Sequence, residues 1–168
     1  TGRIQNASTM NLKTVNLTNG ATFENTGKLA SDTKAKANAS TLVLNIDGKS
    51  SFTNSGELHA DNIDVKGQFI NTGTVIANTQ TVNGFVQNGT PVQGTLFFAA
   101  PKRATDITGT KNILSGNGYT NNGDALWGTA NISGQLTNNA GGVITIGPNQ
   151  YFPNETGLNN TGTISNEG

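Results

Sequence analysis

The residue types best suited to acid–base chemistry occur together in one short stretch, as His59, Asp61 and Asp64. Enzymes that cleave polysaccharides use a pair of convergent carboxyl groups, each within hydrogen-bond reach of the substrate. Asp64, however, lies between Ile63 and Val65, and in an extended strand that buries both aliphatic side chains it points to solvent. We therefore expect solvated surface charges here, no catalytic residues and no enzymatic activity. A polysaccharide-binding or polysaccharide-degrading protein stays as an alternative.

The sequence offers few ligands for a metal or a cofactor. It contains one His and no Cys, whereas zinc sites need several such side chains together. The stretch SGNGYTNNGD, from Ser115 to Asp124, has the glycines of a calcium loop, but it lacks the alternating acidic ligands and the final Glu. No glycine-rich phosphate loop follows a strand-like run. The expectation is therefore no metal and no cofactor.

The bulk composition favours an ordered β protein over a disordered chain. Only 33% of the 168 residues are hydrophobic and 12% are charged, while Asn and Thr number 25 each. Disordered chains of low hydrophobicity usually carry a high net charge, but the net charge here is zero. A neutral chain has no basic stripe for nucleic acid, and no apolar run reaches the length of a membrane-spanning helix. We therefore expect no nucleic-acid partner and no membrane span.

A short motif recurs along most of the chain, in the copies FENTGKL, FTNSGEL, FINTGTV and FVQNGTPV. An aromatic residue stands four positions before a glycine, an Asn usually stands two positions before it, and an aliphatic residue often follows. Stacked repeats place each residue against its own counterpart and so give ladders of like side chains, with the glycines supplying a positive φ at the corner. The residues expected to form this structural ladder are Phe23, Phe52, Phe69, Phe85, Asn25, Asn54, Asn71, Asn121, Asn160, Gly27, Gly56, Gly73, Gly123 and Gly162.

The spacing of the motif predicts the fold class. Motif glycines at positions 56, 73 and 89 are 17 and 16 residues apart, a period near the short end of repeat architectures. Within one unit Leu58 and Ala60, and then Ile63 and Val65, alternate with polar residues, as in half-buried strands. The chain is therefore predicted to be all-β, a right-handed parallel β-helix (β-solenoid) of roughly eight coils. It would form a single segment over residues 1–168 with polar loop excursions.

Two stretches depart from the repeat. SDTKAKANAS is polar and predicts a loop excursion near 31–41. TLFFAAPKRATDI carries two adjacent Phe, a Pro and a basic pair, which predicts an irregular coil near 95–115. Exposed aromatic rings can stack on sugars or pack against a partner. Phe97, Phe98 and Trp127 are therefore the possible contact residues.

The segments LTNNAGGVITIG and LNNTGTISNEG resemble the haemagglutinin-type repeats of large bacterial exoproteins. These are the filamentous-haemagglutinin-like adhesins of the two-partner secretion route and the autotransporter passengers, whose shafts are right-handed β-helices. The F/L-x-N-x-G-x-I/V signature covers most of the chain, but the Asn-Pro-Asn-Gly-Ile type of motif of the secretion domain is absent and the units vary in length. The resemblance implies a shaft or passenger segment of a secreted or cell-surface protein, and not the secretion domain.

The functional expectation is a structural and adhesive segment that contacts a host surface glycan or protein. TGRI begins inside a motif, and GTISNEG stops as a new strand starts. Bare strand edges invite pairing with other chains. Self-association through open coil ends, as in a self-assembling extracellular fibre subunit, is therefore the alternative.

Overall fold

The computed structural model describes residues 2–31, 40–90, 103–155 and 157–167, and within these ranges the chain is all-β with no helix. Buried and more exposed residues alternate along most strands, because successive side chains of a strand point to opposite faces. The strands are β1 (Arg3–Asn6), β2 (Thr9–Asn11), β3 (Thr14–Leu17), β4 (Thr22–Asn25), β5 (Lys28–Ala30), β6 (Val43–Ile46), β7 (Ser51–Asn54), β8 (Glu57–Val65), β9 (Gln68–Asn71), β10 (Thr74–Val82), β11 (Phe85–Asn88), β12 (Thr105–Ile113), β13 (Gly118–Asn121), β14 (Asp124–Ile132), β15 (Gln135–Asn138), β16 (Val143–Ile146), β17 (Gly157–Asn160) and β18 (Thr163–Asn166).

These strands form two sheets, and every strand pair that the structure describes is parallel. Sheet A has the order β1-β4-β7-β9-β11-β13-β15-β18. Sheet B has the order β16-β14-β12-β10-β8-β5-β2, with β17 beside β14 and with β6 between β3 and β8. The all-β class expected from the period-two pattern is confirmed.

The chain passes from sheet A to sheet B and back again. We call a sheet A strand, together with the sheet B strand or strands that follow it, a unit; the described residues hold seven such units and an eighth sheet A strand. In β8, β10, β12 and β14 one residue is skipped in the pairing, and this skip divides each strand into two arms. Residues that are Cα partners in successive units form what we call a column, such as Asn54 and Asn71.

One hydrophobic cluster contains buried side chains of both sheets, among them Phe52 of sheet A and Leu58 of sheet B, each 0% exposed. Each member packs against its column neighbours, because parallel strands pair at a spacing of about 4.8 Å. The core is therefore a set of columns that run through successive units.

The motif glycines are required for a reason other than the expected one. Gly27, Gly56, Gly73, Gly123 and Gly162 have no positive φ. A Cβ at Gly73 would lie 2.2 Å from the backbone oxygen of Gly56, and one at Gly56 would lie 2.0 Å from that of Gly27. The expectation of a left-handed corner at these positions is wrong, because the backbone of the neighbouring unit fills the space where a side chain would begin.

The glycines before sheet A strands form a separate column from those after them. Gly134 and Gly162 precede β15 and β18, and a Cβ at Gly162 would lie 2.1 Å from the Gly134 oxygen. Gly27, Gly56 and Gly73 instead follow sheet A strands. The sequence motif therefore treated two different turns as one, the turn after a sheet A strand and the turn before it. Both require glycine because a neighbouring backbone lies where a side chain would begin.

The stretch near 95–115 is regular over most of its described part. Strand β12 spans nine residues from Thr105 and pairs along both arms with β10 and β14. The irregular coil predicted there is therefore wrong for Thr105–Ile113. Most of the predicted excursion near 31–41 lies outside the described residues, as do Phe97 and Phe98.

Candidate functional site

A column of asparagine side chains runs through all eight strands of sheet A. Each Nδ2 donates to the Oδ1 of the Asn in the next strand at 2.7–2.9 Å, and the seven bonds all point the same way. Six of these Nδ2 atoms also donate to a backbone carbonyl of the next unit, as from Asn54 to Thr74 at 3.0 Å. Both amide hydrogens are thereby satisfied away from water. The members are Asn6, Asn25, Asn54, Asn71, Asn88, Asn121, Asn138 and Asn166.

Two positions of this column differ from the sequence expectation. In the fifth unit, where the motif offers Gln87 in place of an Asn and the expected ladder has no member, the column is continued by Asn88. At the C-terminal end the member is Asn166, whereas Asn160 lies exposed in β17 of sheet B as the Cα partner of Ile132. The assignment of Asn160 to the ladder was wrong, because its N-x-G sequence belongs to the turn that precedes a sheet A strand.

The aromatic column is shorter than the motif suggested. The rings of Phe23 and Phe52 stack with centroids 5.0 Å apart, and those of Phe52 and Phe69 stack 5.5 Å apart. The next member is Val86, which is 1% exposed, and Phe85 points outward with 40% exposure. The expected inward position of Phe85 is wrong, because the strand register pairs Phe69 with Val86.

A cluster of polar side chains is enclosed in the core of the fourth to sixth units. Lys111 Nζ lies 2.5 Å from Asp106 Oδ2 and also donates to Gln80 Oε1. The Tyr119 hydroxyl donates to Asp106 Oδ2, and the Thr108 hydroxyl donates to Asp106 Oδ1 at 2.7 Å. Lys111, Thr108 and Tyr119 are each 0% exposed, and Asp106 is 3% exposed. We call these five residues the buried polar cluster.

The cluster occupies columns whose other members are mostly apolar. Asp106 stands between Val75 and Ala125 in one column. Lys111 stands between Gln80 and Ala130 in another. A buried charge is tolerated only when it is paired and hydrogen-bonded. Here Asp106 and Lys111 pair with each other within β12, and Gln80 of β10 and Tyr119 of β13 add hydrogen bonds.

Trp127 forms one wall of the cluster. It is 0% exposed, its ring meets that of Tyr119 edge to face with centroids 5.0 Å apart, and Lys111 Nζ lies 5.0 Å from its centroid. The expectation of Trp127 as a contact residue for sugar is wrong, because its side chain points into the core. Its Nε1 has no hydrogen-bond partner among the described residues.

Burial shifts the acid–base behaviour of the cluster. Burial lowers the pKa of Lys111, while the charge of Asp106 and its hydrogen bond oppose that shift. Burial also raises the pKa of Tyr119 well above its usual value, and the Asp106 carboxylate adds to the shift. Burial thus disfavours the charged forms of both the amine and the phenol, whereas Asp106 favours the charged form of the amine alone.

The three residues that could have supplied acid–base chemistry lie on the outer surface. Asp61 is exposed and accepts a hydrogen bond from Asn78 at 2.8 Å. Asp64 lies 3.6 Å from Lys66 Nζ. Burial and Lys28 lower the pKa of His59. Each residue has its own neighbour, and no group of three or more metal-binding side chains occurs in the described part of the chain.

A groove of about 890 Å³ crosses the outer face of sheet A from β11 to β18. Gly118 has no side chain between Phe85 and Gln135 in one column, and this gap deepens the groove. The other lining side chains include the hydroxyls of Thr120 and Thr137, and no charged residue lines it. The groove therefore offers one exposed ring among neutral hydrogen-bonding groups.

Sequence reasoning missed both the buried polar cluster and the groove. An alignment of the units on β8, β10, β12 and β14 would have shown Asp, Thr and Lys of the segment DITGTK in columns of mostly apolar buried residues. The motif aligned Phe85 with Phe69, one residue out of register with the pairing of Phe69 and Val86 in the structure. This shift is why Phe85 was predicted to point inward. The prediction of an irregular coil near 95–115 excluded Asp106, Thr108 and Lys111 from such an alignment.

Comparison of the chain with protein-family models, with curated proteins and with solved structures gives no significant match. No helix in the described part is long and apolar enough to cross a membrane. The functional argument therefore depends on the columns, the cluster and the groove.

Proposed function

We propose that the chain is a segment of a right-handed parallel β-helix that acts as a stem and contact surface of a secreted or cell-surface bacterial exoprotein. The observation that carries this proposal is the unbroken asparagine column through eight parallel strands. Each amide satisfies its counterpart one unit away, so the arrangement extends by adding units. Such a core spans distance and encloses no substrate. It also agrees with the resemblance to filamentous-haemagglutinin-like shafts.

The distribution of charge supports a non-catalytic role. Arg3 pairs with Glu24 at 2.9 Å, and Lys28 pairs with Glu57 at 3.6 Å, in each case between neighbouring strands of one sheet. These charges are neutralised locally on the outer surface. A glycoside hydrolase instead holds two carboxyl groups across one substrate.

The groove beside Phe85 is the contact site in this proposal, and its partner is a neutral glycan. An exposed aromatic ring stacks on the apolar face of a sugar, and Thr, Asn and Gln side chains can both donate and accept hydrogen bonds with sugar hydroxyls. The uncharged lining favours neutral sugars over sulfated or sialylated ones.

The proposal is tested by the binding of the purified chain to an array of surface glycans. Phe85→Ala should lose most of the binding to neutral glycans, whereas Val143→Ala, which truncates a side chain 49% exposed in sheet B, should bind like the wild type. Equal binding by wild type and Phe85→Ala would remove the groove as the contact site. Shortening of the bound glycans during incubation would overturn the non-catalytic role.

A further inference from the structure

The position of Lys111 is unusual for a lysine in a β protein. The amine is 0% exposed and contacts two acyl groups, the carboxamide of Gln80 and the carboxylate of Asp106. Gln80 and Lys111 are direct Cα partners on β10 and β12, so their side chains run side by side into the core. The amine is thus held against a carbonyl group with water excluded.

The two acyl groups differ in their chemistry. A carboxylate resists attack by an amine because it is negatively charged, whereas a carboxamide is neutral. Asp106 is also held at both oxygens, by Thr108 at Oδ1 and by Tyr119 at Oδ2. Asp106 is therefore placed to move protons, and Gln80 is placed to accept the nucleophile.

We propose that Lys111 and Gln80 condense spontaneously into an intramolecular isopeptide bond within the folded core, with Asp106 as the proton-transfer group. The neutral amine Nζ of Lys111 attacks Cδ of Gln80, and the carbonyl electron pair moves onto Oε1. Asp106 takes a proton from the attacking nitrogen and passes it to the Gln80 Nε2. The carbonyl re-forms, the Cδ–Nε2 bond breaks, and ammonia leaves. One secondary amide and one ammonia replace one amine and one carboxamide, so no oxidant or cofactor is needed.

The surroundings favour this step over hydrolysis. The rings of Tyr119 and Trp127 lie 4.7 Å and 5.0 Å from Lys111 Nζ, and both side chains are 0% exposed. Holding two reacting groups together in a dry site raises their effective concentration by orders of magnitude. Burial also disfavours the charged form of the Lys111 amine, and attack requires its neutral form.

The bond would join two strands that are adjacent in space and distant in sequence. β10 and β12 are separated along the chain by β11 and the segment that follows it. A covalent link between Gln80 and Lys111 closes this loop and restricts the unfolded chain, as a disulfide does in proteins that have cysteine. This inference does not depend on the glycan-binding proposal, and either can fail alone.

The intact mass of the purified, denatured chain tests the proposal. The wild type should be lighter than its sequence by the mass of one ammonia, and its tryptic peptides holding Gln80 and Lys111 should stay joined, with no cleavage after Lys111. Lys111→Met, Gln80→Leu and Asp106→Asn should each show the full sequence mass and no joined peptide. Lys66→Met, which removes an exposed lysine, should keep both the deficit and the joined peptide.

The measurement on the wild type decides the matter even where a cluster variant does not fold. A full sequence mass for folded wild type overturns the proposal. A deficit of one water with Lys111 joined to Asp106 overturns the assignment of Gln80. An ammonia deficit without a joined peptide indicates cyclisation of an Asn elsewhere and also overturns it.

Discussion

At the scale of single residues, the glycines illustrate how one residue type meets two different needs. Gly73 has an ordinary φ but no room for a Cβ, whereas Gly116 has a φ of 79° and open space around its Cα. The first is constrained by the neighbouring unit and the second by its own backbone conformation. Sequence alone does not separate these cases, because both are written as a glycine near polar residues.

Gly73→Ala should destabilise the protein strongly. The new Cβ would lie 2.2 Å from the Gly56 oxygen, so two backbones must separate, at a cost of about 2 kcal/mol or more. Gly48→Ala is the matched control, since the nearest atom to its Cβ is 3.8 Å away and the expected change is within about 0.5 kcal/mol. Urea denaturation of the three chains measures both changes. Equal midpoints for the two variants would contradict the close-approach explanation.

Asn71→Ala should also be costly, for a different reason. It leaves the Nδ2 hydrogen of Asn54 and the Oδ1 of Asn88 without their partner in a buried column, which costs about 1–3 kcal/mol. Asn45→Ala removes a bond of similar length, 2.8 Å to Asn16, from an exposed pair, so water replaces the partner and the change should be within about 0.5 kcal/mol. Denaturation midpoints that fall equally for both variants would show that the buried column has no special role.

At the scale of the strands, the sequence predicted the class of element correctly because period-two alternation is a local signal. Leu58, Ala60, Ile63 and Val65 were assigned to the buried face from their spacing, and each is at most 3% exposed. Register is not a local signal. It is fixed by which residue of the next unit lies opposite, and a shift of one residue exchanges Phe85 and Val86 between the two faces.

The same reason explains why the buried polar cluster was not predicted. Asp106 and Lys111 have polar side chains, and a polar residue on a half-buried strand is normally assigned to the outer face. They pair with each other inside the core, and the hydrogen bonds from Lys111 to Gln80 of β10 and from Tyr119 of β13 to Asp106 complete the cluster. Gln80 and Tyr119 lie 31 and 13 residues away in sequence from the residues that they bond, beyond the reach of a periodicity argument.

Deletion of one whole unit should leave a chain that still folds, because the remaining units can pair in the same register. Deleting Ser51–Gly67 brings Gln68 to the place of Ser51, its Cα partner, and allows Asn25 to meet Asn71. The shortened chain should keep its β circular dichroism and a cooperative unfolding transition. Deleting Ser51–His59 removes part of a unit and places unlike residues in each column, so cooperative unfolding should be lost. A cooperative transition in the second chain, or none in the first, would show that columns do not define the unit.

At the scale of the whole molecule, contacts repeat from unit to unit, and the buried polar cluster interrupts that repetition. Chains of this kind gain stability mainly from each unit and its nearest neighbours. The columns of Asn, Phe and aliphatic side chains are uncharged, and exposed ion pairs such as Lys28–Glu57 contribute little. The pH dependence of folding should therefore reveal the titrating groups of the cluster against a nearly uncharged core.

Tyr119 should set a loss of stability at alkaline pH. Its pKa in the folded chain is raised well above the usual value, whereas a tyrosine in the unfolded chain ionises near pH ~10. Below that pH both states hold the proton and Tyr119 adds no pH dependence. Above it the folded state holds more protons than the unfolded state, so the free energy of unfolding falls as the pH rises.

The comparison that isolates this effect uses Tyr119→Phe, which keeps the ring and removes the ionisable hydroxyl. Its urea midpoint should be lower than that of the wild type at about pH 8, but should decline less between about pH 8 and about pH 11. Thr108→Val is the matched control, because it also removes a hydrogen bond to Asp106 but keeps Tyr119. It should therefore show the full alkaline decline. An equal decline in the wild type and Tyr119→Phe would mean that Tyr119 ionises in the folded chain as freely as in the unfolded one. That result would contradict the burial of the Tyr119 hydroxyl in the cluster.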